Sequence, residues 1–290
     1  MTRHLLTGAE LDRDELLGLL DRADALKAAP LSSRALEGRS VALIFEQPST
    51  RTRLSFEAGV FELGGQPVVL RPGEMQLARG ESVGDTARIL SRHMAAVGVR
   101  TGPDSLLVQL AQAATVPVFN MLSAGHHPCQ ALADLMTLRE EFGRLEGLRV
   151  AYVGDGNNVA RSLALLGALA GVEVAICSPA GYTLTGAPDA QLTDDPAEAA
   201  AGAHALYTDV WVSMGDKDGT DRRREQLEPY RLDDQLLGHA RDDAVVLHCL
   251  PAHPGEEIAE DVLYGDRSAV WDQAENRLHA QKALLEHLVR

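Results

Sequence analysis

The chain has 290 residues, enough for two ordinary domains, and its 45% apolar and 24% charged residues are the proportions of a soluble globular protein. A formal net charge of −15 argues against a general nucleic-acid surface but leaves room for a local basic pocket. Three cysteines without paired spacing form no disulfide framework and suit a reducing cytoplasm; the N-terminus lacks the long apolar core of a signal peptide, and the most apolar segment, Leu163 to Cys177, is too broken to span a bilayer.

Thr7-Gly8-Ala9-Glu10 has the form of a capping box and predicts an opening helix over 7–29, stopped by Pro30. Val41-Ala42-Leu43-Ile44-Phe45 reads as a buried strand. Glu46-Gln47-Pro48-Ser49-Thr50-Arg51-Thr52-Arg53 then opens a helix that Gly64-Gly65 ends, with Ser49 or Thr50 as its cap. A helix start offers unpaired N–H groups and the positive end of the macrodipole, and arginines there add charge and a fork that fits phosphate. The residues alone leave two readings open, an anion site or a capped helix with two solvated arginines.

Pro67 to Leu70 is a second strand. The glycine-rich, aperiodic loop 71–80, which carries Gln76, is expected to be mobile. Ser82 caps a helix to about Met94. Ala96 to Arg100 is a strand, 105–113 a helix and Val116 to Phe119 a strand. A loop from Asn120 to His127 leads into a helix that starts at Pro128, carries Cys129, Gln130 and Asp134, and runs to about Phe142. Alternating strands and helices predict a parallel sheet with ligands at the strands' carboxyl ends. Ser49 to Arg53, Arg100, and His127 with Gln130 all follow such ends, which points to one pocket.

The turn Gly143 to Gly147 opens a second α/β unit. It holds strands at 148–153, 172–177, 205–208 and 244–247, a long apolar helix to Ala170, a short helix from Asp195, a charged solvated tract 216–224, a strand-like Ala269-Val270-Trp271 and a final helix from Gln273. The domains are therefore expected at 1–142 and 143–272, each a parallel sheet flanked by helices.

Gly154-Asp155-Gly156 resembles a dinucleotide turn, but Val159 stands where the fingerprint needs its third glycine, and Cys177-Ser178-Pro179 brings no acid to hold a ribose. Asn157 and Asn158 at that helix start suit a carboxylate or polar head better; a tight turn capped by asparagine is the rival. His248, Cys249 and His253, or His126, His127 and Cys129, lack the spacing of a structural zinc site. Cys177 and Cys129 read as packing residues. Cys249 follows a strand end and is either a nucleophile or a contact for a substrate amine. Asp209, at another strand end, could hold a cation or amine.

Together these segments resemble the aspartate/ornithine carbamoyltransferase family along nearly the whole chain. Ser49-Thr50-Arg51-Thr52-Arg53 is similar to the family's carbamoyl-phosphate signature, and His127-Pro128-Cys129-Gln130 to a second shared element. Asp209-Val210-Trp211-Val212-Ser213-Met214-Gly215 and His248-Cys249-Leu250-Pro251 resemble the ornithine branch. The resemblance implies that Ser49, Thr50, Arg51 and Thr52 hold the phosphate, that Arg100, His127 and Gln130 bind and polarise the carbamoyl group, and that Gln76, Cys249, Leu250 and Arg277 complete that site, Gln76 across a subunit boundary. It implies ornithine contacts at Asn158, Asp209, Ser213 and Met214, with Arg100, His127, Asp209 and Cys249 nearest the chemistry. It further implies transfer of a carbamoyl group to the δ-amine of L-ornithine to give L-citrulline and phosphate, in arginine biosynthesis. The alternatives are another amine acceptor such as putrescine, or a silent carbamoyl-phosphate-binding protein. No cofactor or metal, no nucleic acid and no membrane are expected, but a cytoplasmic homotrimer or multiple of trimers, with the final helix (273–290) returning to the first domain. Three departures stand out: Gln47 where the family usually has lysine, Pro254 where the ornithine enzymes usually have arginine, and a shortened stretch between Gly181 and Asp209.

Overall fold

A computed structural model describes residues 2–187, 190–212 and 220–290. The chain forms two compact units: the first ends at Met136 and regains Glu275–Arg290, and the second is Thr137–Ala274.

In the first unit the opening segment is not yet helix. Leu5 bridges in parallel to Phe119, receiving the Asn120 N–H (2.8 Å) and donating to the Val118 carbonyl (3.0 Å). Helix α1 (Arg13–Ala28) starts six residues later than the capping-box reading, with Asp12 as cap in a reciprocal box with Glu15. Gly8 lies at φ +107°, which no helix continues through, and Glu10 folds back to accept the N–H groups of Leu6, Thr7 and Gly8. Two neighbouring segments carried the same signature, and the one without a left-handed glycine became the helix.

Strand β1 (Ser40–Phe45), α2 (Thr50–Glu62), β2 (Gln66–Leu70), α3 (Val83–His93), β3 (Ala96–Arg100), α4 (Asp104–Ala113) and β4 (Val118–Leu122) follow, with 3-10 turns Pro72–Glu74 and Gln76–Arg79 in the loop after β2. The strands form a parallel sheet in the order β2-β1-β3-β4. The chain leaves β1 in one direction and returns to β3 on its other side, so the strand order reverses between them. That is where an open α/β sheet forms a crevice at its carboxyl edge. Gly98 in β3 is required by close approach: a Cβ there would meet the ring of Phe119, which stacks 5.2 Å from Phe56 of α2. β4 runs three residues beyond the expected end at Phe119. Asn120 is tolerated inside it because its Nδ2 donates to the Leu6 carbonyl and to Ser123 Oγ, both at 2.8 Å.

Helix α5 (Pro128–Phe142) carries the chain from one unit to the other; the division falls inside it, after Met136, whereas the sequence places it at the turn after Phe142. Then come β5 (Arg149–Val153), α6 (Asn158–Ala170), β6 (Glu173–Cys177), β7 (Gln191–Thr193), α7 (Pro196–Ala200), β8 (Ala205–Thr208), α8 (Thr220–Leu227), α9 (Asp234–Leu237), β9 (Val245–His248), α10 (Glu260–Leu263) and α11 (Val270–Val289). The sheet is parallel, in the order β7-β6-β5-β8-β9, and its strand order reverses between β5 and β8. The sequence misses β7, α9 and α10: β7 is a short edge strand with two exposed residues, and the helices are single turns. Ala269-Val270-Trp271 is not a strand. Ser268 makes one bridge to Val246 and the helix begins at Val270, an ambiguity inherent in short apolar runs. No helix of the described residues is long and apolar enough to cross a membrane.

From Glu275 onward α11 belongs to the first unit. Lys282 is fully buried, with Nζ 2.5 Å from Glu62 and in reach of the Leu26 and Pro30 carbonyls (3.4 and 3.3 Å). Arg22 of α1 grips Glu286 with two bonds of 2.6 and 2.9 Å. Glu62 retains 21% exposure, so water can take over its carboxylate, whereas loss of Glu62 leaves the Lys282 ammonium with two long bonds to neutral carbonyls. Glu62→Ala is therefore expected to cost about 3 kcal/mol, and Lys282→Met to stay within about 1 kcal/mol of wild type, in urea denaturation. Equal losses would mean that the pair itself, and not the orphaned buried charge, sets the cost.

Candidate active site

In the first unit Ser49 sits in extended backbone and its Oγ accepts the Thr52 N–H (3.3 Å), so Ser49 is the cap of α2. The helix start lies on the carboxyl edge of β1, beside the reversal of strand order. Arg53 turns along the helix to Glu57 (2.6 Å), leaving half-buried Arg51 as the arginine of the first turn not committed to that pair. Thr52 is fully buried and its Oγ1 accepts from Arg277 Nη2 at 2.7 Å. That bond leaves the Thr52 hydroxyl proton to be donated elsewhere.

Arg100 ends β3, and its carbonyl takes the Glu46 N–H (2.9 Å). Glu46 also accepts from buried Thr101 Oγ1, which ties the ends of β1 and β3 together. Half-buried Gln47 reaches toward the same loop, beside Gly102. His127 precedes α5, and its carbonyl accepts the N–H groups of Gln130 (3.0 Å) and Ala131 (3.3 Å), so it is a cap as its position before Pro128 suggested. Burial, then Arg277, then Arg100 push the His127 imidazole well below its usual value. It is therefore a neutral hydrogen-bonding group among fixed positive charges. Arg100, His127 and Arg277 are all buried.

Gln130 is also buried, and its Nε2 donates to Asp134 Oδ1 at 2.8 Å. A carboxylate accepts, so this bond fixes the amide orientation. Gln130 Oε1 consequently points the other way, buried and without a hydrogen-bond partner among the described residues. Cys129 donates its thiol proton to the Asn120 carbonyl (3.2 Å), and burial pushes its pKa to about 12, which makes it a packing residue. Gln76 is exposed on its 3-10 turn, anchored by buried Met75. The first unit thus gathers Ser49, Thr52, Arg100, His127, Gln130 and Arg277, while Gln76 stands on the surface.

In the second unit the sequence reading singles out Asn157, Asn158, Asp209, Cys249 and Leu250, and the geometry adds Tyr152. Asn157 caps α6, its Oδ1 accepting the N–H groups of Val159 (2.9 Å) and Ala160 (3.2 Å) and the Tyr152 hydroxyl (3.1 Å). Its Nδ2 donates to Asp209 Oδ2 at 2.7 Å, and Cys249 Sγ donates to Asp209 Oδ1 at 2.9 Å. Burial, then Asp209, Cys249 and Asp155 hold the Tyr152 phenol well above its usual value, so it remains a donor. Asn158 is the first residue of α6 and half-buried. Leu250 has φ +57°, rare for a side chain of its size, directly after Cys249. Ser213 and Met214 lie outside the described residues.

His248 is a post beneath this group. Its N–H donates to Gln273 Oε1 (2.9 Å), its Nδ1 accepts the Leu250 N–H (2.8 Å), and its Nε2 faces Glu257 at 3.1 Å. Acceptance at Nδ1 puts the ring proton on Nε2, directed at Glu257. Burial would raise the Glu257 carboxyl, but bonds from His248 and the His253 N–H hold it below its usual value. Asp209, His248 and Cys249 offer ligand atoms within 4.8 Å of one another, yet both ring nitrogens of His248 are already engaged. Cys177 is core, its thiol pushed up to about 12 by burial and by Asp195 and Asp194.

Known proteins carry the same pattern. The family profile described as the carbamoyl-P binding domain of aspartate/ornithine carbamoyltransferase matches residues 3–140, and that of the Asp/Orn binding domain matches 146–288. A protein named ornithine carbamoyltransferase from Parafrankia sp. is 54% identical over 305 aligned positions, which cover 99% of this chain and 96% of that one. The crystal structure of ornithine carbamoyltransferase from Thermus thermophilus superposes with a TM-score of 0.93 at 44% identity, covering 100% of both chains. That of the anabolic ornithine carbamoyltransferase from Campylobacter jejuni gives 0.92 at 34% identity, covering 99% of this chain and 98% of that one. With both family profiles matched and relatives aligned over nearly the whole chain, the chain belongs to the aspartate/ornithine carbamoyltransferase family.

Proposed function

We propose that the protein transfers the carbamoyl group of carbamoyl phosphate to the δ-amine of L-ornithine, releasing L-citrulline and phosphate. The observation that carries this reading is the group formed by buried Arg100, neutral His127, Gln130 and Arg277 around the capped start of α2. Its full-length likeness to ornithine carbamoyltransferases supports the choice of acceptor.

Phosphate binds at the start of α2, to Ser49, Thr50, Arg51 and Thr52, where N–H groups and the helix dipole favour an anion. Arg277 accepts part of that charge while fixing Thr52. Arg100 and neutral His127 donate to the carbamoyl oxygen, on which negative charge grows as the amine adds. The neutral imidazole serves as a donor without giving up a proton it needs. Gln130 Oε1 receives the carbamoyl N–H, which explains its lack of a protein partner. Gln76 and Leu250 complete the carbamoyl-phosphate contacts.

Asn158, Asp209, Ser213 and Met214 bind ornithine. A thiol that donates to a carboxylate is not a thiolate nucleophile, so Cys249 presents sulfur lone pairs that orient the amine, and Asp209 takes charge from it. The nitrogen of the neutral amine forms the new bond to the carbamoyl carbon. The carbon–oxygen bond to phosphate breaks, its electron pair leaves on the phosphate oxygen, and the amine's extra proton passes to the departing phosphate. The assembly is a trimer or a multiple of trimers, supported by Leu54 and Phe61 of α2, exposed large apolar side chains that a partner would cover. The direction is biosynthetic, as in the anabolic relative, and the free cysteines suit the cytoplasm.

Citrulline formation tests the function. Wild-type protein is expected to make citrulline from ornithine and carbamoyl phosphate; Arg51→Ala raises the carbamoyl-phosphate KM about a hundredfold and Arg100→Ala lowers kcat about 10²–10³-fold. A protein that carbamoylates putrescine but not ornithine would overturn the acceptor, and phosphate-ligand binding without turnover would overturn the enzyme. At Cys249, serine retains a donor to Asp209 and is expected to keep kcat within about tenfold, while alanine raises the ornithine KM. Collapse of both variants by many orders of magnitude would restore the nucleophile. At His127 the folded chain resists a proton that the unfolded chain takes near its ordinary pKa of about 6.5. Its contribution to stability is therefore present above pH 6.5 and lost as pH falls below it, and His127→Gln flattens that part of the stability profile.

A further inference from the structure

Arg223 of α8 reaches three other segments of the second unit. Its Nη2 pairs with the Asp155 carboxylate, its Nε donates to the Trp211 carbonyl, and its guanidinium lies over the Tyr182 ring, 4.9 Å from the centroid. The side chain is only 23% exposed and that of Asp155 only 12%. These partners belong to three different connections on the second sheet. Asp155 is in the turn after β5, two residues before Asn157. Trp211 follows β8, two residues after Asp209. Tyr182 lies in the loop after β6.

The connections are already pressed together. Gly156 donates its N–H to the Tyr182 carbonyl (2.9 Å), and a Cβ at Gly156 would stand 2.5 Å from the Leu184 nitrogen. The Tyr182 hydroxyl reaches Gln226 on α8 (3.1 Å), one turn along from Arg223. Trp211 is buried, its indole nitrogen has no hydrogen-bond partner among the described residues, and it lies 3.6 Å from where a Cβ of Gly154 would stand.

We propose that Arg223 is a positioning residue for the amino-acid substrate: by holding Asp155, Trp211 and Tyr182 at once, it sets the separation between Asn157 and Asp209, the ends of the loops that meet the amine-bearing ligand. This rests on the reading that the second unit binds that substrate. The Asn157–Asp209 bond is 2.7 Å, and Asp209 in turn receives Cys249. A shift of either loop would therefore move the acceptor that orients the amine. Only a planar fork can satisfy a carboxylate, a carbonyl and an aromatic face together; a lysine has the charge but a single point of attachment. Arg223 acts through these loops, holding Asp155 and Trp211, which stand two residues from Asn157 and Asp209 respectively.

The test is steady-state kinetics with both substrates for wild type, Arg223→Gln, Arg223→Lys and Asp155→Asn, with thermal melting of each. Arg223→Gln is expected to raise the ornithine KM about ten- to a hundredfold, and Asp155→Asn and Arg223→Lys to do so by about three- to tenfold, with the carbamoyl-phosphate KM within about twofold of wild type in all three. If the glutamine variant fails to fold, the lysine and asparagine variants carry the test. The double variant Arg223→Gln with Asp155→Asn should be no worse than Arg223→Gln alone, since both remove the same pair. An ornithine KM within twofold of wild type in every folded variant overturns the proposal, as does a loss that moves both KM values and the melting temperature together. A wild-type protein with no activity on ornithine overturns the substrate reading beneath it, which separates that failure from indifferent variants of an active enzyme.

Discussion

The bond from Arg277 to Thr52 spans 225 positions and joins the last helix to the first turn of α2. Much of the first unit's site depends on it. It turns Thr52 into a directed donor, brings a buried guanidinium to the helix start, and places a positive charge near His127 that helps keep the imidazole neutral. The α11 contacts around it hold that guanidinium in place: Lys282 to Glu62 and Glu286 to Arg22 lie on the same helix within the first unit. A buried arginine is expensive unless its surroundings fix it, and here the fixing residues come from the far end of the chain.

This arrangement explains which parts of the site could be read from the chain alone. Ser49 to Arg53 drew attention because the cap and two arginines of a helix start lie within five residues, although those residues alone left an anion site and a solvated helix start both open. The strand ends at Arg100 and Cys249 could be found because apolar runs mark strands and parallel sheets bind at their carboxyl edges. Arg277 had no local signal at all; it lies mid-helix among polar neighbours and entered only through family resemblance. Gln130 was named, but not the reason its amide faces as it does, because that reason is its bond to Asp134 one turn later, which a sequence does not display. Tyr152 and Arg223 were passed over as strand and solvated tract, and Asn157 was read as a ligand contact or a cap without its bond to Asp209. Their roles arise from pairs 5 to 68 residues apart, invisible to any window of sequence.

The misread elements have the same origin. Thr7 to Glu10 and Asp12 to Glu15 both satisfy the capping pattern, and only the left-handed backbone at Gly8 decides between them. Asn120 looked like the end of β4 because an unpartnered amide does not belong in a buried strand; Leu6 and Ser123, supplied by other segments, make it acceptable. In each case the pattern was physically sound, and a partner remote in sequence decided the outcome.

A chain of formal charge −15 whose first unit matches a carbamoyl-P binding domain must reconcile repulsion of an anion at long range with attraction at contact. Salt resolves most of it. Across more than about 8 Å at physiological ionic strength, surface charges are largely screened, whereas groups within a poorly solvated site are screened far less. Many acids are also spent locally: Glu57 on Arg53, Glu286 on Arg22 and Asp155 on Arg223. Two buried arginines, Arg277 and then Arg100, act on the His127 ring. The potential a ligand meets at that point is set by a few guanidiniums and a helix terminus rather than by the sum over the chain. The acidic surface then serves solubility while leaving the anion site intact.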